Sequence, residues 1–291
     1  LEPVATVVQR VYDGISEAAN SDSSTPGIST GIRELDSTIL GMGPGDFILV
    51  ASRPGMGKTS IGLNIALSAA KSTGRTVAVF SLEMTREQLV MRLLAGEGLV
   101  DSKKLQTGRL SNDEWQRVGA AAGVLSGTDI RIDDNPSLTV SEMNAQCRRL
   151  KNLGLIVIDY LQLMQSAGSG NSWANESRTQ AVSDISRMIK IMAKELGVPV
   201  LCLSQLSRAN ESRQNKRPML SDLRESGAIE QDADVVMGIY REGYYNAECE
   251  NPNEAELIIL KNRRGQTGTI NLMWLPEYTS FVAVDRRHDD D

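Results

Sequence analysis

Ser52-Arg53-Pro54-Gly55-Met56-Gly57-Lys58-Thr59 lies between the apolar run 47–51 and a stretch of helical character that begins near Ser60. A strand, a glycine loop and a helix in that order make a phosphate cradle. Gly55 and Gly57 let the backbone fold back so that successive N–H groups point into one hollow, where the N-terminus of the next helix adds its partial positive charge. From this position Lys58 is expected to reach the β- and γ-phosphates of a nucleotide, and Thr59 to hold Mg²⁺. Ser52 replaces the glycine that usually opens the pattern, at its least demanding point.

The 291 residues, 41% of them apolar, suffice for one large globular domain or two small ones with a sizeable core. Wholly apolar runs such as 155–158 are far too short to span a bilayer, and the N-terminus lacks a charged-then-apolar secretory pattern. A soluble cytoplasmic protein without membrane contact is expected. Leu1 in place of Met reads as a truncated or processed start. Cys147, Cys202 and Cys249 are widely spaced and form no metal-like pairing, so they read as reduced thiols. The single histidine, His288, sits in an acidic tail (287–291) expected to be solvated, which removes zinc sites and histidine triads from consideration. A net charge of −6 means that any nucleic-acid contact must be local. The segments 208–217 and 261–264 are the local basic stretches, and composition alone reads each as a solvated loop.

Val4, Val7, Val8, Val11 and Ile15 recur at helical spacing and give residues 1–19 one apolar stripe on an otherwise polar helix. Residues 20–26 then read as a flexible linker. The stripe must be buried on its own domain or on a neighbour, and a loose tether favours the neighbour. Beyond it, short apolar strands at 46–51, 76–81, 130–133, 155–159, 199–204 and 235–240 alternate with amphipathic helices, which predicts a mainly parallel central sheet flanked by helices. Three further runs, 255–262, 267–274 and 280–284, have no helix between them and predict an antiparallel C-terminal hairpin extension. Together these make an α/β fold of the P-loop NTPase kind over residues 27–286.

Ligands of open parallel sheets sit beyond the carboxyl ends of the strands. The second predicted strand runs into Glu83, the fourth ends in Asp159 and the fifth runs into Gln205. Two carboxylates and an amide therefore converge near the phosphate loop. Glu83 suits polarisation of an attacking water, Asp159 suits ordering the Mg²⁺ shell, and Gln205 suits sensing a γ-phosphate.

The blocks Gly27-Ile28-Ser29-Thr30-Gly31, Pro44-Gly45-Asp46, the phosphate loop, Ser81-Leu82-Glu83-Met84, Ile158-Asp159-Tyr160-Leu161-Gln162-Leu163, Leu203-Ser204-Gln205-Leu206-Ser207-Arg208, Ser221-Asp222-Leu223-Arg224-Glu225-Ser226-Gly227, Ile229-Glu230-Gln231-Asp232-Ala233-Asp234 and Lys261-Asn262-Arg263 stand in this order over nearly the whole chain. They resemble the C-terminal motor domain of the bacterial replicative DNA helicase, the DnaB family. The resemblance implies a RecA-like fold, a homo-hexameric ring, ATP hydrolysis between subunits, and 5′ to 3′ movement on single-stranded DNA with duplex unwinding at replication forks. It also implies a loader and primase as partners, although the family's N-terminal helical domain, used for primase, has no counterpart here. Residues 1–19 then resemble the linker helix that docks on the next subunit.

Carried over by position, the resemblance implies that Gly55, Gly57, Lys58, Thr59 and Ser60 grip phosphates and metal, with Arg53 and Arg92 also at the nucleotide and Glu83 as the catalytic carboxylate. By itself Arg92 would read as a solvated helix residue. Lys261 and Arg263 match the pair offered in trans to a neighbour's γ-phosphate, and their alternation on a strand points both the same way. DNA contact is expected from 166–172 and from 208–227, with Arg208, Arg224, Glu225 and Gly227 as candidate residues. No aromatic lies in 208–227, so phosphate grip without base stacking is expected. A recombinase or repair ATPase would share the core but build filaments, and a non-motor switch would turn over slowly and ignore single-stranded DNA.

Overall fold

Each residue of β1 (Phe47–Ser52) is buried, because alternate side chains enter two different cores. Ile48 and Val50 join the core on one face, whereas Phe47, Leu49 and Ala51 join the core on the other. The same division runs through β2 (Thr76–Ser81), β4 (Leu153–Asp159), β5 (Val200–Gln205) and β6 (Val235–Tyr240). That is why these strands read as continuous apolar runs in the sequence. The computed structural model describes residues 1–20, 25–159, 176–246 and 248–284, the side chains of 17–20, 176–179, 209 and 224–228 excepted.

With β3 (Ile130–Asp133), β7 (Glu254–Asn262), β8 (Gly268–Leu275) and β9 (Ser280–Ala283), the described strands form one sheet in the order β3-β2-β4-β5-β1-β6-β7-β8-β9. The first six in that order pair in parallel. The last three are added antiparallel, as expected for the C-terminal extension. β1 therefore lies inside the sheet between β5 and β6, and the chain must cross two strands to reach β2. Two helices precede β1, namely α1 (Val4–Asn20) and α2 (Arg33–Ile39). The crossing itself is made by α3 (Lys58–Thr73), which packs its apolar side on the first core. Next come α4 (Arg86–Gly98), α5 (Ser102–Thr107), α6 (Asn112–Ser126) and α7 (Val140–Cys147). The opposite face is covered by α7, by α8 (Glu176–Leu196) and by the short α9 (Gly227–Asp232). α10 (Glu242–Tyr245) follows β6.

α1 carries the stripe, and Val8, Val11 and Ile15 are exposed, as is Tyr12. Two positions of the linker expected over 20–26 lie in ordered surroundings. Asn20 closes α1, and Thr25 is already buried, its hydroxyl donating to the Gly27 carbonyl at 3.3 Å. Residues 21–24 lie outside the described residues, as do 285–291, which include the tail and His288. Among the described residues no helix is long and apolar enough to cross a membrane.

Burial settles the character of two thiols. It pushes Cys147 up to about 12 and Cys202 also far upward, whereas Cys249 is partly exposed. A disulfide reagent at pH 8 is expected to titrate Cys249 in the native protein and all three cysteines after denaturation. Rapid native labelling of Cys147 or Cys202 would contradict this packing.

Candidate nucleotide site

The phosphate loop leaves the carboxyl end of β1 and turns through Gly55 at φ 78° and Gly57 at φ 98°, backbone that side chains with a Cβ resist. Gly57 is also crowded: a Cβ there would meet the Phe281 ring at 2.7 Å and the Trp274 ring at 3.2 Å. α3 starts at the next residue, so its first free N–H groups face the loop's hollow. The loop borders a cavity of about 280 Å³, to which Gly55, Gly57, Lys58, Thr59 and Ser60 contribute. Glu83, Arg92 and Gln205 line its other walls, so the expected nucleotide-site residues of this chain meet in one place.

Asp159, buried at the end of β4, ties the walls together. Its Oδ2 accepts the Thr59 hydroxyl at 2.6 Å, and its Oδ1 lies 3.2 Å from the Lys58 ammonium. Its carbonyl accepts the Leu82 N–H at 2.7 Å. Next to Leu82, the Ser81 hydroxyl donates to the Met84 carbonyl at 2.7 Å and accepts the Met84 N–H at 3.1 Å. Those bonds shape the turn that presents Glu83. α4 then begins with a reciprocal cap in which Thr85 and Gln88 satisfy each other's backbone N–H groups. Arg92 rides on that helix half-buried. Burial lowers its pKa, while the nearby charges of Asp159 and Glu83 oppose the shift. Among the described residues, neither Glu83 nor Arg92 has a hydrogen-bond or ion-pair partner, which leaves a carboxylate and a guanidinium facing the cavity. Gln205 is held beside the loop by its register opposite Ser52.

A metal can be tested against this geometry. Asp159 Oδ1 is buried and accepts no hydrogen bond of good geometry despite the neighbouring ammonium. It sits beside the Thr59 hydroxyl at the mouth of a phosphate loop. Hard oxygen donors of this kind suit Mg²⁺. Among the described residues no three His, Cys, Asp or Glu side chains converge into a cage. Thr59 and Asp159 are therefore the residues that would hold such an ion, without a full protein cage among the described residues.

Arg53 lines the cavity, and its guanidinium donates to Glu211 Oε1 at 2.8 Å and to the Leu206 carbonyl at 2.8 Å. Its charge thus fastens the loop to the segment after β5. Sequence reading missed Trp274 and Thr279, which also line the cavity. Trp274 packs on Phe281 with ring centroids 4.7 Å apart, and the Arg241 guanidinium lies 4.7 Å from the Trp274 centroid. Thr279 has φ 48° and a buried hydroxyl without a partner among the described residues. No local motif marks either residue; the antiparallel extension brings them to the loop.

Lys261 and Arg263 lie elsewhere. Lys261 is paired with Val236 near the start of β6, and its ammonium donates to the carbonyls of Glu230 and Ala233, the latter at 2.8 Å. The Arg263 guanidinium donates to the Gln231 carbonyl and to Asp234 Oδ1, the latter at 3.3 Å. Asp234 accepts the Phe47 N–H at 2.8 Å, so Arg263 is level with the first residue of β1. The loop follows the last residue of β1, about 16 Å farther along the strands. Within one chain these cations cannot reach the phosphate loop.

Of the candidate DNA residues, Arg208 is exposed and has no hydrogen-bond or ion-pair partner among the described residues. Its basic neighbours are engaged: Arg213 pairs with Asp222 at 2.7 Å, Arg217 with Glu256 at 2.5 Å, and Lys216 lies 4.6 Å from the Tyr245 ring centroid. The segment 166–172 lies outside the described residues, as do the side chains of Arg224 and Glu225. Gly227 begins α9.

Gly57→Ala is expected to weaken nucleotide binding by about tenfold or more, since the left-handed backbone alone costs about 1–2 kcal/mol before the ring contacts are counted. Titration with a fluorescent nucleotide checks this, and unchanged affinity would contradict the geometry.

Residues 27–283 match the family model described as the DnaB-like helicase C terminal domain. The replicative DNA helicase DnaB of Geobacillus stearothermophilus is 50% identical over 290 residues, which cover 99% of this chain and 63% of that protein. The replicative DNA helicase DnaC of Bacillus subtilis is likewise 50% identical over 290 residues, with the same coverage of 99% and 63%. The chain therefore spans less than two thirds of those relatives' length. A solved DnaB-like replicative helicase, described with its interactions with primase, superposes with a TM-score of 0.86 at 38% identity, covering 98% of this chain and 68% of that one. A separately solved ATPase domain superposes at 0.90 and 38% identity, covering 98% of this chain and 100% of that one. Phosphate loop, sheet order and antiparallel extension thus go with sequence similarity over almost the whole chain, and the chain belongs to the DnaB-like helicase C-terminal domain family.

Proposed function

We propose that this chain is the motor of an ATP-dependent DNA helicase that works as a homo-hexameric ring, moving 5′ to 3′ on single-stranded DNA in the cytoplasm and unwinding duplex at replication forks. The observation that carries the reading is the division of labour within one chain. A complete phosphate-binding set stands at one end of the sheet, and two cations stand at the other, out of reach of it. A neighbour's cations complete each site when subunits are arranged head to tail, an arrangement that gives a ring where its rotation closes.

In this reading Lys58, the loop N–H groups and Arg92 bind the phosphates of ATP, and Thr59 with Asp159 would hold Mg²⁺, whose charge would offset that developing on the phosphates. Glu83 orients and deprotonates the attacking water, and Gln205 registers the γ-phosphate. The neighbour's Arg263 and Lys261 stabilise charge in the transition state, a contribution worth about 10³ to 10⁵ in turnover for such fingers. The exposed stripe of α1 supports docking of that helix on the adjacent subunit. Arg208 and the segment from Arg224 to Gly227 contact DNA phosphates, independent of sequence. Six copies around a pore supply the local positive track that a chain of net charge −6 lacks. The relative described with primase supports primase as a partner of the assembled helicase, alongside a loader.

Turnover per subunit is expected to fall on dilution as rings dissociate. Arg263→Ala is expected to abolish hydrolysis alone and to regain part of it when mixed with Lys58→Ala chains, because hybrid seams pair an intact loop with an intact finger. Full turnover by dilute monomers, or no recovery on mixing, would sink the proposal.

A further inference from the structure

The two cations are held by one short helix and the two residues that follow it. α9 follows directly on the 3-10 turn Leu220–Ser226, so its first residue, Gly227, is also the last of the segment proposed to touch DNA. In its last turn the carbonyls of Glu230 and Gln231, and just beyond it that of Ala233, receive Lys261 and Arg263. Carbonyls freed at a helix C-terminus, with the negative end of the helix dipole, are natural acceptors for ammonium and guanidinium groups. The backbone agrees with the side chains: the Arg263 N–H donates to the Asp234 carbonyl at 2.9 Å. Burial lowers the Lys261 pKa and the adjacent Arg263 lowers it further, while the carboxylates of Glu230, Asp234 and Asp232 oppose the shift.

α9 is also anchored as a body. Ile229 is fully buried in the core shared with α8, and the Ser186 hydroxyl on α8 donates to Asp232 Oδ2 at 2.7 Å. Asp234, just beyond the helix, accepts Lys190 as well as Arg263. At 1.5 Å per residue the helix is about 9 Å long. A displacement at Gly227 therefore reaches the cation pair through a single rigid element.

We propose that α9 is a strut which sets the position of Lys261 and Arg263 according to whether DNA is held at its other end, so that DNA bound by one subunit aligns the cations serving its neighbour's nucleotide. The inference rests on the trans-finger and DNA-contact reading given above. DNA stimulation of hydrolysis would then cross each subunit junction in one direction, from DNA-holding subunit to nucleotide-holding neighbour. Lys261 and Arg263 contact the nucleotide; α9 positions them.

Replacing Glu230 and Gln231 together by glycine loosens the helix, whereas alanine at the same two positions keeps it helical while removing the same side chains. The readout is the ratio of hydrolysis rates with and without single-stranded DNA, at a concentration that forms rings. Glu230→Gly with Gln231→Gly is expected to lower the ratio about fivefold or more, and the alanine pair to keep it within about twofold, from the difference in helix propensity. Affinity for a fluorescent nucleotide should be unchanged in both, because the phosphate loop lies at the far end of the sheet; loss of it in the glycine pair would report general damage and overturn the strut. Equal ratios in the two pairs, retained or lost alike, overturn it as well. Mixing Arg263→Ala with Lys58→Ala chains separates the layers: recovery there with equal glycine and alanine ratios removes the strut and leaves the trans finger standing. No recovery, or no DNA stimulation of the unaltered chain, removes both.

Discussion

The buried carboxylate of Asp159 is the point on which the nucleotide site is assembled. Through its side chain it holds Thr59 and Lys58 at the start of α3, and through its carbonyl it holds the turn that presents Glu83. Three segments distant in sequence, the phosphate loop, the end of β2 and the end of β4, are brought into register by one residue. A buried ion pair is poor evidence of net stability, but removing one partner leaves an uncompensated charge at a cost of about 3–5 kcal/mol. That asymmetry makes each of Lys58 and Asp159 costly to lose while the other stays buried.

The sheet acts as a spacer between two chemistries. β1 is enclosed by β5 and β6, and the loop leaves it at the carboxyl end, where Gln205 and Glu83 are also delivered. The antiparallel turn from β6 into β7 carries the chain the opposite way, so the end of β7 lies with the beginnings of the parallel strands. On the proposed reading this reversal is what makes hydrolysis a property of the junction between subunits. The same extension returns through β8 and β9 to lay Trp274 and Phe281 against Gly57, so one hairpin system serves both ends of the molecule.

Much of the positive charge around the loops is already committed. Arg213, Arg217 and Arg53 have carboxylate partners, and Arg53 in particular links the phosphate loop to Glu211 in the segment that starts with Arg208. Positive composition along 208–217 therefore overstates the charge offered to a polyanion. Arg208 stands apart from its neighbours in this respect.

The order of residues by itself determined the parallel core, the antiparallel extension, and the identity of the loop and strand-end residues. These follow from local rules: runs buried on both faces, glycines where the backbone must take positive φ, and polar residues where strands meet the ligand edge. Tertiary structure decided which side chains were available. The tie of Arg53 to Glu211 cannot be read from its motif, Arg92 by itself reads as a solvated helix residue until burial beside Glu83 is seen, and Trp274 carries no signal until the sheet folds back. It also decided that Lys261 and Arg263 lie beyond reach of their own loop and rest on α9. Spacing along a chain encodes which face a residue takes within its own element, whereas its partners across elements depend on how distant segments pack, and no local pattern carries that information.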